Sequence, residues 1–431
     1  MCSAAMKLAG PSRANRSPRL PTASTDGRWE VVMERDPRKP VSPRTKALRF
    51  IVLVGVMSFF ADFTYEGSRS IIGPYLGLLG ASAAAIGIVT GFGELLGYGL
   101  RVASGRFADR TGQFWPITIV GYVVQMAAVP LLALAGNWPV AAALVILERV
   151  GKATRNPPRD VMLSHAAKEA GGYGWAFGLH EALDQSGALV GPLIVAGVMF
   201  LRGDYRVAFA VLAVPAVLTL AVLATARLRY PRPEELEHEA PDLQTSGLPR
   251  IFFVYLAGAA LVAAGFVDFP LIAFHFAHTA SVDPGYIPVF YSVAMAVGGS
   301  GSLVFGRLFD RFGIGILVPL TVVTALFAPL VFFGDFPVAL VGMALWGLGI
   351  GVHESIIPAA VAPMVPRGRR ASAYGLFTAG YGVAWFAGSV AIGLLYAVSV
   401  PVIVVLSIVL ELSAIPIFLL VARRQREVDA P

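Results

Sequence analysis

The sequence predicts an all-α membrane protein of twelve transmembrane helices arranged as two pseudo-symmetric six-helix bundles. Three observations lead there. Of 431 residues, 56% are hydrophobic and 14% charged, with a mean hydropathy of +0.70, whereas soluble domains carry about 25% charged residues. Twelve apolar stretches are each long enough to cross the ~30 Å hydrocarbon core. A short loop pattern in the first half then recurs about two hundred residues later.

The stretches fall at 48–78, 84–104, 114–135, 138–155, 172–201, 205–226, 250–277, 286–305, 314–333, 337–357, 372–397 and 400–421. None shows the ten-residue alternation of a transmembrane β-barrel. Glycine and proline inside several of them are tolerated in membrane helices. The chain divides into a tail at 1–46, a six-helix bundle at 47–226, a Pro-rich acidic linker at 227–249, a second bundle at 250–422 and a tail at 423–431.

Lysine and arginine set the expected orientation, because they accumulate in cytoplasmic loops. Eleven of the 34 lie before residue 50, and most of the rest fall in loops on that same side. The opposite loops hold only Arg202 and Arg206. Both termini are therefore expected in the cytoplasm, with the protein in the inner membrane. The first 46 residues have no apolar period and no signal-peptide core. They read as a solvated tail, or as an over-extended start with Met33 as the initiator.

The repeat pairs Gly105-Arg106-Phe107-Ala108-Asp109-Arg110-Thr111-Gly112 with Gly306-Arg307-Leu308-Phe309-Asp310-Arg311-Phe312-Gly313, offset by 201. A second echo pairs Ala176-Phe177-Gly178-Leu179 with Ala373-Tyr374-Gly375-Leu376. Two matched halves imply a duplicated bundle with a solute path between them. At these residues the chain resembles the major facilitator superfamily, and the resemblance covers all twelve helices. The octapeptide resembles that family's loop signature after helix 2, with Gln113 and Phe114 in place of the usual basic pair. By resemblance, Gly105, Asp109, Arg110 and Gly112, with Gly306, Asp310, Arg311 and Gly313, gate the path by latching its cytoplasmic end. The fifth helix carries Gly178, Gly187, Gly191 and Pro192, similar to the superfamily's antiporter motif, but Val195-Ala196 replace its closing glycines. Gly187 and Gly191 form a small-xxx-small pair for close helix packing.

The family's helix-4 arginine pattern is not matched at Arg149. The run Lys152, Arg155, Arg159 reads as a positive-inside anchor.

An ionisable group at the bilayer centre costs roughly 2.5–3.5 kcal/mol on insertion scales, so such groups are interior and functional. Asp62, Glu66 and Arg69 share one face of the first helix through i,i+4 and i,i+3 spacing. Arg69 is expected to pair with Glu66. Asp268, in the seventh helix, falls at the matching depth, and with Glu94 these residues are assigned to proton and solute coupling. Asp62 and Asp268 have no evident local cation, so each is a candidate proton carrier. His180, Glu181 and Asp184 on the fifth helix and His353 and Glu354 on the tenth are cavity candidates. His180 and Asp184 form a possible relay pair, and one member of each His-Glu pair is expected to face inward. By resemblance, helices 1, 4, 7 and 10 line the cavity while 2, 5, 8 and 11 support it. Tyr381 and Trp385 read as aromatic packing, and Glu411 as a packing or lipid-interface residue.

These features predict a secondary active transporter working by alternating access. Proton-coupled export of a small amphipathic or cationic solute is the first expectation, and proton-symport uptake of a neutral solute the alternative. An anionic substrate is disfavoured, since convergent cations at mid-membrane are not evident. The expected partners are a small-molecule substrate and membrane lipids, with no nucleic acid, and the expected unit is a monomer. No metal and no cofactor beyond the proton gradient are expected, and no catalytic residue. The one cysteine, Cys2, excludes a disulfide framework, and Walker A, His-Glu-x2-His and Gly-x-Ser-x-Gly patterns are missing.

Overall fold

The computed structural model describes residues 43–170, 173–231, 248–365 and 370–429. The tail with Met33 and most of the acidic linker lie outside the described residues. Among the described residues twelve helical spans are present: α1 Pro43–Leu78, α2 Ala83–Thr111, α3 Phe114–Leu134, α4 Trp138–Ala170, α5 Tyr173–Arg202, α6 Tyr205–Arg229, α7 Arg250–Thr279, α8 Ile287–Phe312, α9 Gly313–Phe333, α10 Phe336–Ile356, α11 Arg370–Tyr396 and α12 Val400–Gln425. Eleven are long and apolar enough to cross a membrane. The twelfth, α4, has 33 residues but carries too many charges to register as apolar.

That helix runs well past the expected end at 155 and continues through Pro157 and Pro158. Within the first half, α1 packs on α5 and α6, and α4 packs on α2 and α3. Within the second, α8 packs on α10, and α7 on α11 and α12. The halves meet where α1 faces α7, α2 faces α11, and α5 faces α8.

The α1–α5 contact has a direct sequence cause. A Cβ on Gly187 or Gly191 would run into the carbonyls of Phe59 and Phe63, so the small-xxx-small pair brings two backbones together. The loop repeat also has a structural counterpart. Gly112 and Gly313 end α2 and α8 with φ of 64° and 62°, a backbone region where glycine has no steric penalty.

Two of the irregular helices bear on the seam between the halves. In α7 the helix stops at Gly265 and restarts at Phe269, with Asp268 as the extended residue at the restart. In α10 the turn Val352–Ile356 is π-helical.

The two ends of the inter-half seam differ. At the end away from the termini, Gly73 lies against the Pro270 carbonyl and Gly87 against that of Ser389. At the terminal-bearing end, Gly97, Gly99, Gly178, Gly306 and Gly375 have open space beside them. The bundle is sealed at one end and open at the other.

Candidate functional site

Between the halves lies a cavity of about 370 Å³. Its walls come from α1 (Asp62, Tyr65, Glu66, Arg69), α2 (Glu94, Tyr98, Arg101), α4 (Arg149, Lys152, Asn156, Arg159, Asp160), α5 (Glu181, Asp184, Gln185), α8 and α10 (His353, Glu354). Thus α2, α5 and α8 line it alongside α1, α4 and α10. The expected lining role of α7 is not met, because Asp268 sits behind Arg69.

The largest correction concerns α4. Arg149, Lys152, Arg155 and Arg159 follow one another at intervals of three, three and four residues, which places them on one helical face. That face meets α1 and the cavity, so the run is no boundary anchor. Arg155 is fully buried; its Nη2 is 3.3 Å from Asp62 Oδ1, and it donates to Gln125 Oε1 at 2.5 Å and Tyr122 Oη at 2.8 Å. Lys152 Nζ lies 3.8 Å from Asp62 Oδ2, 4.0 Å from Glu66 Oε1 and 3.4 Å from the Tyr65 ring centroid. Asp62 therefore has two cations that its own helix did not reveal. The stripe was legible as periodicity; what hid it was that boundary cations share the same composition.

Arg69 does not pair with Glu66. Its Nη2 bridges Glu94 Oε1 at 3.2 Å and Asp268 Oδ1 at 3.0 Å, tying the first half to the second. Glu94 is also held by Arg149 Nη1 at 3.0 Å. Glu66 instead accepts from Tyr291 Oη at 2.5 Å, a second tie between the halves. Asp268, expected to lack a cation, thus has one from across the seam. Such partners come from another helix at large sequence separation, where spacing says nothing.

His180 is buried and shares a hydrogen bond of 2.8 Å with Ser58 Oγ, and Arg159 donates to the same hydroxyl at 3.2 Å. No hydrogen bond joins it to Asp184 among the described residues, so the relay pair is not formed. Asp184 and Glu181 line the cavity. Both His353 and Glu354, on the π turn, reach the wall, where one of the pair was expected. His353 Nδ1 is 2.7 Å from Tyr381 Oη and packs on Phe266 and Trp385. Glu354 stands exposed in the cavity with no ion pair among the described residues.

Tyr381 and Trp385 are buried in this aromatic cluster rather than facing lipid. Glu411 is fully buried against Gly265, so it is no lipid-interface residue. In the loop repeat, Asp109, Arg110 and Arg311 are exposed without ion pairs among the described residues; the side chain of Asp310 lies outside them. No group of three or more His, Cys, Asp or Glu side chains placed to hold a metal occurs among the described residues.

Two matched bundles around a charged central cavity, sealed at one end, define a transporter rather than an enzyme. A model of the Major Facilitator Superfamily matches residues 53–388, and the chain belongs to that family. It is 42% identical over 380 residues to an uncharacterized protein of Mycobacterium tuberculosis, covering 86% of this chain and 93% of that one. It is 29% identical over 153 residues to the multidrug resistance protein MdtH of Cronobacter sakazakii, 35% of each chain. Its fold is similar to that of the nucleoside transporter NupG, with a TM-score of 0.69 at 14% identity over 86% of this chain and 100% of that one.

Proposed function

We propose that this transporter exchanges protons for a small amphipathic organic cation and exports it from the cytoplasm across the inner membrane. The carrying observation is the imbalance of free charge in the cavity. Of five cations on its wall, Arg69, Arg149, Lys152 and Arg159 are held in ion pairs, and Arg101 has none among the described residues. Of seven carboxylates, Glu181, Asp184 and Glu354 have no ion pair among the described residues. Glu181 and Asp184 on α5 and Glu354 on α10 thus give the cavity carboxylates without a cation partner, a local excess of negative charge that favours a cationic solute. The second-half wall adds Met295, Ile350 and Pro358, which suit an apolar body.

The cations on α4 do not redirect this reading to anions, because each already neutralises an acid of the first half. With the termini in the cytoplasm, the open end faces the cytoplasm and the cavity loads from there. The exposed Asp109 and Arg110, in the last turn of α2, fit a released cytoplasmic latch. Rocking then breaks the Arg69–Asp268 and Tyr291–Glu66 ties and turns the cavity outward. The likeness to MdtH over a third of the chain supports drug-like cargo.

The test uses everted membrane vesicles with an acid interior and a pH-sensitive dye, challenged with organic cations and neutral sugars. Proton efflux on adding a lipophilic cation, lost in Glu354→Gln at matched expression, is the expected result. Efflux with sugars alone rejects the cationic cargo, and none with any compound while right-side-out vesicles accumulate a neutral solute rejects export in favour of uptake.

A further inference from the structure

Lys152 stands apart from the arginines of the cavity wall. Arg69, Arg149 and Arg159 each reach a carboxylate oxygen at 3.2 Å or less. The Lys152 ammonium comes no nearer than 3.8 Å to Asp62 and 4.0 Å to Glu66, beyond hydrogen-bond range. What it does meet is the Tyr65 ring, whose centroid is 3.4 Å from Nζ. That ring is held between Arg69, whose Nη1 donates to its hydroxyl at 3.2 Å, and Arg149, 4.9 Å from the centroid. Asp62, Tyr65 and Glu66 are each at most 8% exposed, and all three line the cavity. An aromatic face beside two carboxylates is a place for an ammonium ion, and here the chain's own side chain fills it. Lys152 also has somewhere else to go. Its charge acts on Asp184 and Glu354, which have no ion pair among the described residues.

We propose that Tyr65, Asp62 and Glu66 form the seat for the cargo's ammonium group, and that Lys152 is a tethered stand-in that occupies it while the carrier is empty. This role rests on the cationic cargo proposed above, but not on proton coupling or on direction. Lysine is a compact ammonium on a flexible four-carbon stem, so its side chain is a butylammonium ion anchored to α4. The cargo it mimics is an alkylammonium, a positive nitrogen on a slender apolar stem. On loading, the cargo nitrogen takes the Tyr65 face between the two acids, and Lys152 swings toward Asp184 and Glu354. On release Lys152 returns, so the seat is never without a cation as the halves rock.

The test is the affinity of the purified full chain for n-butylammonium, with n-butanol as its uncharged counterpart. In Lys152→Ala the seat is vacant, while Asp62 keeps Arg155 and Glu66 keeps Tyr291, so the fold is expected to hold. Butylammonium should bind this variant about tenfold tighter than wild type, because the seat is no longer mostly occupied. Butanol should gain nothing, and adding Tyr65→Leu should cancel the butylammonium gain. Equal gains for the two compounds show a mere void, and no gain for butylammonium shows a fixed structural lysine; either overturns the proposal. Should Lys152→Ala fail by size exclusion, Lys152→Arg decides. Its planar fork can hold both acids at once, so butylammonium affinity should fall about tenfold below wild type, and unchanged affinity overturns the stand-in. Wild type that binds tetraphenylphosphonium while the Lys152 variants show none of these shifts loses the stand-in and keeps the cationic cargo. No binding of either cation by wild type or Lys152→Ala removes both.

Discussion

At the scale of single residues, the electrostatics are decided by which charges are committed. Arg155 is buried with Asp62, Gln125 and Tyr122 as its partners. Removing one member of a buried ion pair costs about 3–5 kcal/mol, because the other charge is left uncompensated. Arg155→Met should therefore lower the melting temperature of the purified protein sharply, and adding Asp62→Asn should recover part of the loss. An unchanged melting temperature in Arg155→Met contradicts the pairing. Glu354→Gln should behave oppositely: with no partner to abandon, it should melt within a degree or two of wild type, since substitutions away from buried pairs stay within about 0.5 kcal/mol. The acids Asp62, Glu66 and Asp268 were legible in the sequence as intramembrane charges. Their partners were not, because Lys152, Arg155 and Arg69 approach from other helices and a residue's spacing reports only its own helix.

At the scale of elements, helix irregularities set what reaches the cavity. Deleting one residue from the π turn Val352–Ile356 should restore a regular helix and rotate Glu354 relative to His353. Export is expected to fall to vector level while membrane yield is kept; full activity would show that the turn has no role. On α5, Gly191→Leu should abolish folding, since its Cβ already meets the Phe63 backbone, whereas Gly178→Ala should be tolerated in open space. Yield and size-exclusion profile read both. The α5 packing glycines could be picked out from their four-residue spacing. The break in α7 carries a start signal, Asp268 at the cap with Pro270 in the first turn, that a search for apolar runs passes over, whereas the π turn carries none distinct from an ordinary apolar run. The length of α4 was misjudged for a related reason: the apolar stretch ends at 155, but the helix continues through Pro157 and Pro158.

At the scale of the whole molecule, the two-bundle fold was legible from twelve apolar runs and the repeated octapeptide. The conformational state was not, since it depends on which seam glycines touch a neighbour. The seal at Gly73 and Pro270 is tight enough that a large side chain there should hold the far end apart. With Cys2→Ser and Ser389→Cys supplying the thiol beside Gly87, Gly73→Trp should block transport while making the far-side seam more reactive to impermeant thiol reagents. Lower reactivity would contradict the assignment of the sealed end.

The central claim is that uncommitted cavity carboxylates exchange protons for an organic cation. Its most direct test is to titrate tetraphenylphosphonium into purified protein in weakly buffered detergent while following pH and binding together. Saturable proton release accompanying binding, lost in Glu354→Gln, is the predicted result. Cation binding with no proton release, or equal release in Glu354→Gln, would contradict it.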